Sequence, residues 1–190
     1  MEADRVKWNR RFESEESYLG AHPSPLLARE IARIRSLVPG KRALDIACGE
    51  GRNSIFLAQQ GFLVKALDIS DVALGKAARR AEEAGVLVDF QQVDLDEYRF
   101  REQFDLIINF NFLLRDLIPE AVHALTPGGL LIIDTIMESP QLLASHNPDY
   151  LLRRGELQRI CEGFDGEILL SEELMEGEFP TARVLFRKAG

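Results

Sequence analysis

The sequence predicts an α/β fold, a doubly wound and mostly parallel sheet that ends in an antiparallel hairpin. Three observations carry that prediction. Strand-like and helix-like patterns alternate from residue 42 to residue 136, as expected when helices return the chain across the faces of a parallel sheet. The apolar run 43–47 stops at Cys48-Gly49-Glu50-Gly51, as a buried strand does where it feeds a helix through a loop of bare backbone. Two later strand-like runs, 166–170 and 182–187, are joined by a charged segment short enough for a hairpin rather than a crossover helix.

Each element follows from local chemistry. After the strand at 43–47, a helix over 53–60 stops at Gly61, a residue suited to the left-handed turn past a helix end. The strand at 62–67 leads to Asp68, and Ser70 is placed to cap a helix that runs to Ala84 before Gly85. The strand at 88–93 ends at Asp94, and residues 104–110 form a continuous apolar strand. A helix over 119–125 tolerates Pro119 in its first turn. The turn Thr126-Pro127-Gly128-Gly129 then precedes a strand at 130–136. The next helix spans 155–161, before the hairpin. Residues 1–41 read as an N-terminal helical extension and lid, with Trp8, Phe12 and Tyr18 to lay over the site and a helix over 26–37 interrupted upstream by Pro23-Ser24-Pro25, and residues 42–190 as the sheet domain. The loop 137–152, with Pro140 and Pro148, is long enough to border a pocket.

Composition narrows the functional classes. A length of 190 residues suits one core, and 46% hydrophobic with 28% charged residues is an ordinary globular balance. The formal net charge of −8 opposes a polyanionic partner, whose affinity comes largely from neutralising phosphates, so a small-molecule substrate is expected and nucleic acid is not. Arg5, Lys7, Arg10 and Arg11 alternate with acids and read as a solvated helix face. No apolar run nears the roughly 20 residues that cross a bilayer, and no secretory leader precedes the fold, so a cytoplasmic protein is expected. The two cysteines are far apart, and the histidines show no pairing at a motif spacing, so no metal is expected.

The glycine loop places a ligand at the carboxyl ends of the strands. Gly49 and Gly51 leave no Cβ between backbone and ligand. A pyrophosphate loop needs a third glycine where Ser54 stands, and Asp45 on the preceding strand would repel a diphosphate, whereas it suits loop amides or an ammonium. Asp68 is placed to accept from a ribose diol, and Asp94 with Leu95 to face the polar edge of adenine. The plain alternative for both acids is a turn or helix-cap aspartate.

The residues from Asp45 to Ser54, with Ala66-Leu67-Asp68-Ile69-Ser70, Val93-Asp94-Leu95-Asp96, Phe104-Asp105-Leu106-Ile107, Thr126-Pro127-Gly128-Gly129 and Gly155-Glu156-Leu157, resemble class I S-adenosylmethionine-dependent methyltransferases. Within that class they resemble the tellurite-resistance methyltransferase group, which Trp8-Asn9 and Asn147-Pro148-Asp149-Tyr150-Leu151-Leu152 also fit. The resemblance implies a Rossmann-like sheet of seven strands and S-adenosylmethionine as co-substrate. It implies cofactor contacts at Asp45, Ala47, Cys48, Gly49, Gly51, Arg52, Asn53, Asp68, Ile69, Asp94, Leu95 and Asn109. One departure stands out: Ala47 occupies the position of the group's first motif glycine.

On the acceptor side, Asn111 and Phe112 follow the fourth strand without the two prolines found in enzymes that methylate exocyclic base amines. Arg183 is expected to hold an anion, or else to be an edge-strand charge that blocks aggregation. Tyr18, Arg115 and His146 are candidate substrate contacts, with Arg115 alternatively pairing with Asp116. The group's substrates are small and chalcogen-like, which implies a tellurium, selenium or sulfur acceptor. A non-catalytic cofactor-binding protein and a nicotinamide-dependent oxidoreductase are the competing readings.

Overall fold

A computed structural model describes residues 2–14 and 17–190. In chain order its elements are α1 (Glu2–Ser14), α2 (Pro25–Leu37), β1 (Arg42–Ile46), α3 (Arg52–Gln59), β2 (Leu63–Asp68), α4 (Asp71–Glu83), β3 (Val88–Gln92), β4 (Phe104–Phe110), α5 (Leu117–Ala124), β5 (Leu125–Ile136), α6 (Pro140–Leu143), α7 (Glu156–Glu162), β6 (Gly166–Leu174) and β7 (Thr181–Lys188). The strands form one sheet in the order β3-β2-β1-β4-β5-β7-β6. Every pair from β3 to β5 is parallel, and β7 runs antiparallel to both β5 and β6. The doubly wound sheet with its terminal hairpin is therefore the fold the sequence predicts.

The alternation of side chains across the sheet builds two cores. Leu44, Ile46, Ile107, Leu131 and Ile133 face α5 and α7, where Ile118 and Leu157 cover them. Leu106, Ile108, Leu130 and Ile132 face the other way and meet Leu26, Leu27 and Ile34 of α2 and Leu57 of α3. Helix α2 is thus part of the core, and only the chain ahead of it is available as a cover. Ser70 caps α4 as expected, accepting from Ala73 N–H at 3.1 Å.

One local expectation is corrected. The segment Thr126–Gly129 is not a turn ahead of a strand. It lies inside β5, which pairs with β4 at Leu125 and again from Leu130, with the register shift taken up between them. The glycines there still do turn chemistry: Gly128 has φ +76°, and a Cβ on Gly129 would come 2.9 Å from Thr126 O. The loop 137–152 contains α6 and a 3-10 turn at Pro148–Tyr150, and a bridge between Met137 and Leu152 closes its base. Among the described residues no helix is long and apolar enough to cross a membrane.

Candidate cofactor and acceptor site

Strands β1 and β4 are neighbours from which the chain winds outward in opposite directions, so a crevice opens at their carboxyl ends. Both strands leave the sheet through strained backbone. Ala47, the residue after β1, has φ +56°, and Asn111, the residue after β4, has φ +58°. These are the only non-glycine residues with positive φ among the described residues, and they flank the switch point. Asparagine tolerates this conformation, and its N–H is held by Asp134 O at 2.9 Å. Alanine carries a Cβ that this conformation disfavours.

The two loop glycines have different jobs. A Cβ on Gly51 would stand 2.9 Å from Ala77 Cβ and 3.1 Å from the Phe90 ring. Gly51 therefore lets α3 and α4 pack closely, and its backbone is not the one left open to a ligand. A Cβ on Gly49 would meet only the Phe12 ring of α1, at 3.4 Å. Gly49 is the open position.

Buried acids surround this loop. Asp45 accepts from Ser54 Oγ at 2.5 Å, and burial pushes its carboxyl up to about 7 despite that bond. Asp68 accepts from Gly49 N–H at 2.7 Å and from Ser70 N–H at 2.9 Å; burial raises its pKa while those amides lower it. The Cys48 thiol is held well above its ordinary value by burial beside both acids. Val93 N–H donates to Asp68 O at 2.9 Å, which brings the turn at Asp94 alongside, where Asp94 accepts from Asp96 N–H at 3.1 Å and Leu95 is buried. The Ile69 carbonyl accepts from the Gln92 amide at 3.2 Å. Asn109, at 4% exposure opposite Ile46, has a buried Oδ1 with no hydrogen-bond partner. An orphaned acceptor at the switch point is the mark of a group that a ligand completes.

Arg52 and Asn53 turn away from the loop towards the chain ahead of α2. Arg52 donates to Leu19 O at 3.0 Å and His22 O at 3.4 Å, and burial lowers its pKa. Asn53 Oδ1 accepts from Ser24 N–H at 2.8 Å.

The acceptor-side candidates are more dispersed. Phe112 is half-buried against the α5 core, and Tyr18 stacks edge-on to Phe12 with ring centroids 5.7 Å apart. Arg183 on β7 forms an ion pair with Asp134 at 3.1 Å and approaches Glu172 at 4.0 Å, though its Nε lacks an aligned hydrogen bond. Burial raises the Asp134 carboxyl, and Arg183 opposes that rise. Arg115 does not pair with Asp116. It binds Glu156 at 2.6 Å and the carbonyls of Asp149 and Leu151, bracing the long loop against α7. His146 lies exposed on that loop with Nδ1 2.9 Å from Ser145 Oγ. Phe12 of the N-terminal segment covers Gly49, and one residue escaped the sequence reading: Glu50, whose carboxylate meets Lys76 and Arg80. A charged residue between two glycines was the available signal for Glu50. Among the described residues no group of three or more His, Cys, Asp or Glu is placed to hold a metal.

The chain is similar to known proteins over this region. The family model described as "Methyltransferase domain" matches residues 43–129. The ubiquinone biosynthesis O-methyltransferase of Pasteurella multocida is 30% identical over 129 residues, covering 60% of this chain and 53% of that protein. The chain spans between about half and two thirds of the length of the curated relatives it matches. Among solved structures, TehB from Haemophilus influenzae superimposes with a TM-score of 0.69 at 20% identity, covering 87% of this chain and 63% of that one. Magnesium protoporphyrin IX methyltransferase from Synechocystis, solved with bound SAM, gives 0.70 at 19% identity over 98% and 96% of the two chains.

Proposed function

Taking this chain as a member of the class I S-adenosylmethionine-dependent methyltransferases with TehB-like relatives, we propose that it transfers the cofactor's methyl group to a small, soft nucleophile such as a thiolate or selenolate. The observation that carries the cofactor reading is the unpaired Asn109 Oδ1 at the carboxyl end of β4, next to the strand β1 that leads into the Gly49 loop. The donor set fits: Asp68 has lone pairs left for a ribose diol after its two amide bonds, and Asp45 with the loop backbone suits the methionine ammonium. Asp94 and Leu95 would border the base. The cofactor supplies an electrophilic methyl group on a sulfonium.

What the protein adds is orientation and a dry site, an effect worth roughly 7 to 11 kcal/mol in well-aligned reactions. Phe12, whose ring covers Gly49, and Tyr18 packed on it would exclude water from the loop, and Asn111, Phe112 and Arg183 would face the acceptor. The buried acids at this rim are committed: Asp45 to Ser54, Asp68 to two amides and Asp134 to Arg183. A selenolate is already deprotonated near neutral pH and a thiol supplies a fraction of reactive thiolate, so neither acceptor depends on one of them as a base. The relatives' O-methyltransferase names point to an oxygen acceptor instead, which would require Asp134 to leave Arg183 and take a proton.

Calorimetry and turnover test both parts. S-adenosylhomocysteine should bind and NAD should not, and Asp68→Ala should weaken that binding at least about tenfold, the loss of hydrogen bonds to an ionised group. Turnover of thiol or selenol acceptors ahead of catechols supports the soft-nucleophile reading, and the reverse order replaces it with an oxygen acceptor. Binding without turnover of either class leaves a cofactor-binding protein.

A further inference from the structure

Glu50 stands between the loop glycines with its side chain only 5% exposed. Its carboxylate is approached from two directions. From the chain ahead of α2, Tyr18 N–H donates at 2.9 Å and Ser17 Oγ at 3.4 Å. From α4, Lys76 Nζ lies at 3.2 Å and Arg80 at 3.4 Å. Beyond Gly51, Arg52 holds the carbonyls of Leu19 and His22, and Asn53 holds the Ser24 amide. The loop that offers Gly49 to a ligand is therefore the same loop that grips residues 17–24. An ion pair with α4 alone would not need the carboxylate to reach the Tyr18 amide. Tyr18 in turn packs on Phe12, whose ring covers Gly49.

We infer that Glu50 is a positioning residue that latches segment 17–24 to the cofactor loop, so that ordering of the segment and occupancy of the loop form one equilibrium. The inference rests on the cofactor reading above. A ligand that fixes the loop fixes the direction of the Glu50 side chain, and with it the acceptor for Tyr18 N–H. Linkage makes the effect reciprocal: whatever the latch contributes to affinity, the ligand returns as protection of the segment. Lys76 and Arg80 hold the carboxylate from the α4 side.

Amide hydrogen exchange at residues 17–24, with and without S-adenosylhomocysteine, tests the latch in the whole chain and in Glu50→Ala and Glu50→Gln. In the wild type the ligand should slow Tyr18 exchange by about tenfold or more. Glu50→Ala should exchange fast in both states and lose affinity by a similar factor. Glu50→Gln keeps an amide acceptor and should restore Tyr18 protection, a rescue that also covers the case in which the alanine variant does not fold. Tyr18 exchange indifferent to a ligand that binds, or wild-type affinity in folded Glu50→Ala, overturns the coupling. If the wild type binds no S-adenosylhomocysteine, the cofactor reading falls and the coupling with it. The ligand-free difference at Tyr18 between wild type and Glu50→Ala then still judges the latch by itself.

Discussion

At the amino ends of the strands, Asp105 is buried and accepts from Arg42 N–H and from Thr126 Oγ1, each at 2.9 Å. Glu102 is paired with both Lys65 and Arg42. At the carboxyl ends Asp68 accepts as many bonds, but the Asp45 carboxyl is raised to about 7 by burial, Asn109 Oδ1 has no partner, and Ala47 and Asn111 hold left-handed backbone. One rim of the sheet is finished by the protein itself, and the other is strained and undersatisfied in the way that binding sites are. The open depressions on the surface do not follow this division: one of about 460 Å³, bordered by Arg99, Glu102 and His123, lies at the finished rim. Hydrogen-bond satisfaction, rather than concavity, separates the two rims.

That contrast can be broken by mutation. The largest effect is expected from Gly51→Ala, which puts a methyl group against Ala77 and Phe90 at φ +75° and should cost about 2–4 kcal/mol in denaturant unfolding. A loss under about 1 kcal/mol would mean that α4 shifts freely, and Gly51 would no longer count as a packing residue.

Next comes pH. Because the Asp45 carboxyl is raised to about 7, the folded protein keeps a proton that the unfolded chain loses near pH 4. Its contribution is full below the unfolded value and is lost as pH rises towards 7, so stability should fall by about 2 kcal/mol between pH 5 and pH 7. Asp45→Asn should remove most of that slope, with Asp68, raised in the same direction, supplying the rest. A slope unchanged in Asp45→Asn would assign it elsewhere.

Asp105→Ala sharpens the comparison from the finished rim. It should cost about 1–2 kcal/mol by leaving two donors unpaired, yet leave S-adenosylhomocysteine affinity within about twofold of wild type. Equal damage to affinity would show that the rims are energetically coupled. The smallest effect is expected at Ala47→Gly, where relief of the left-handed strain should stabilise the fold by about 0.5–1 kcal/mol in thermal unfolding. Destabilisation there would place the strain elsewhere.

The fold was legible because its signals are local and repeated. The β4 boundaries, the Ser70 cap and the terminal hairpin depend on patterning and capping within a few residues of each position. The glycine loop and the acids at the ends of β1 and β2 were legible for the same reason, since a strand end and the loop after it occupy consecutive residues. Arg115 was misread because its partner Glu156 lies far away in sequence. The bridge that closes the long loop was not legible, because it joins residues that no short-range pattern connects.

By itself, then, the sequence determined the sheet, its order of elements and the residues that rim its crevice. Tertiary structure alone decided which glycine opens to a ligand and which packs, and whether Arg183 meets Asp134. It also brought Glu50 to residues 17 and 18, more than thirty positions earlier in the chain. The physical reason is the same in each case. Backbone preference and hydrophobic period act between near neighbours, whereas burial, ion pairing and the space left for a Cβ depend on what the folded chain brings in from a distance.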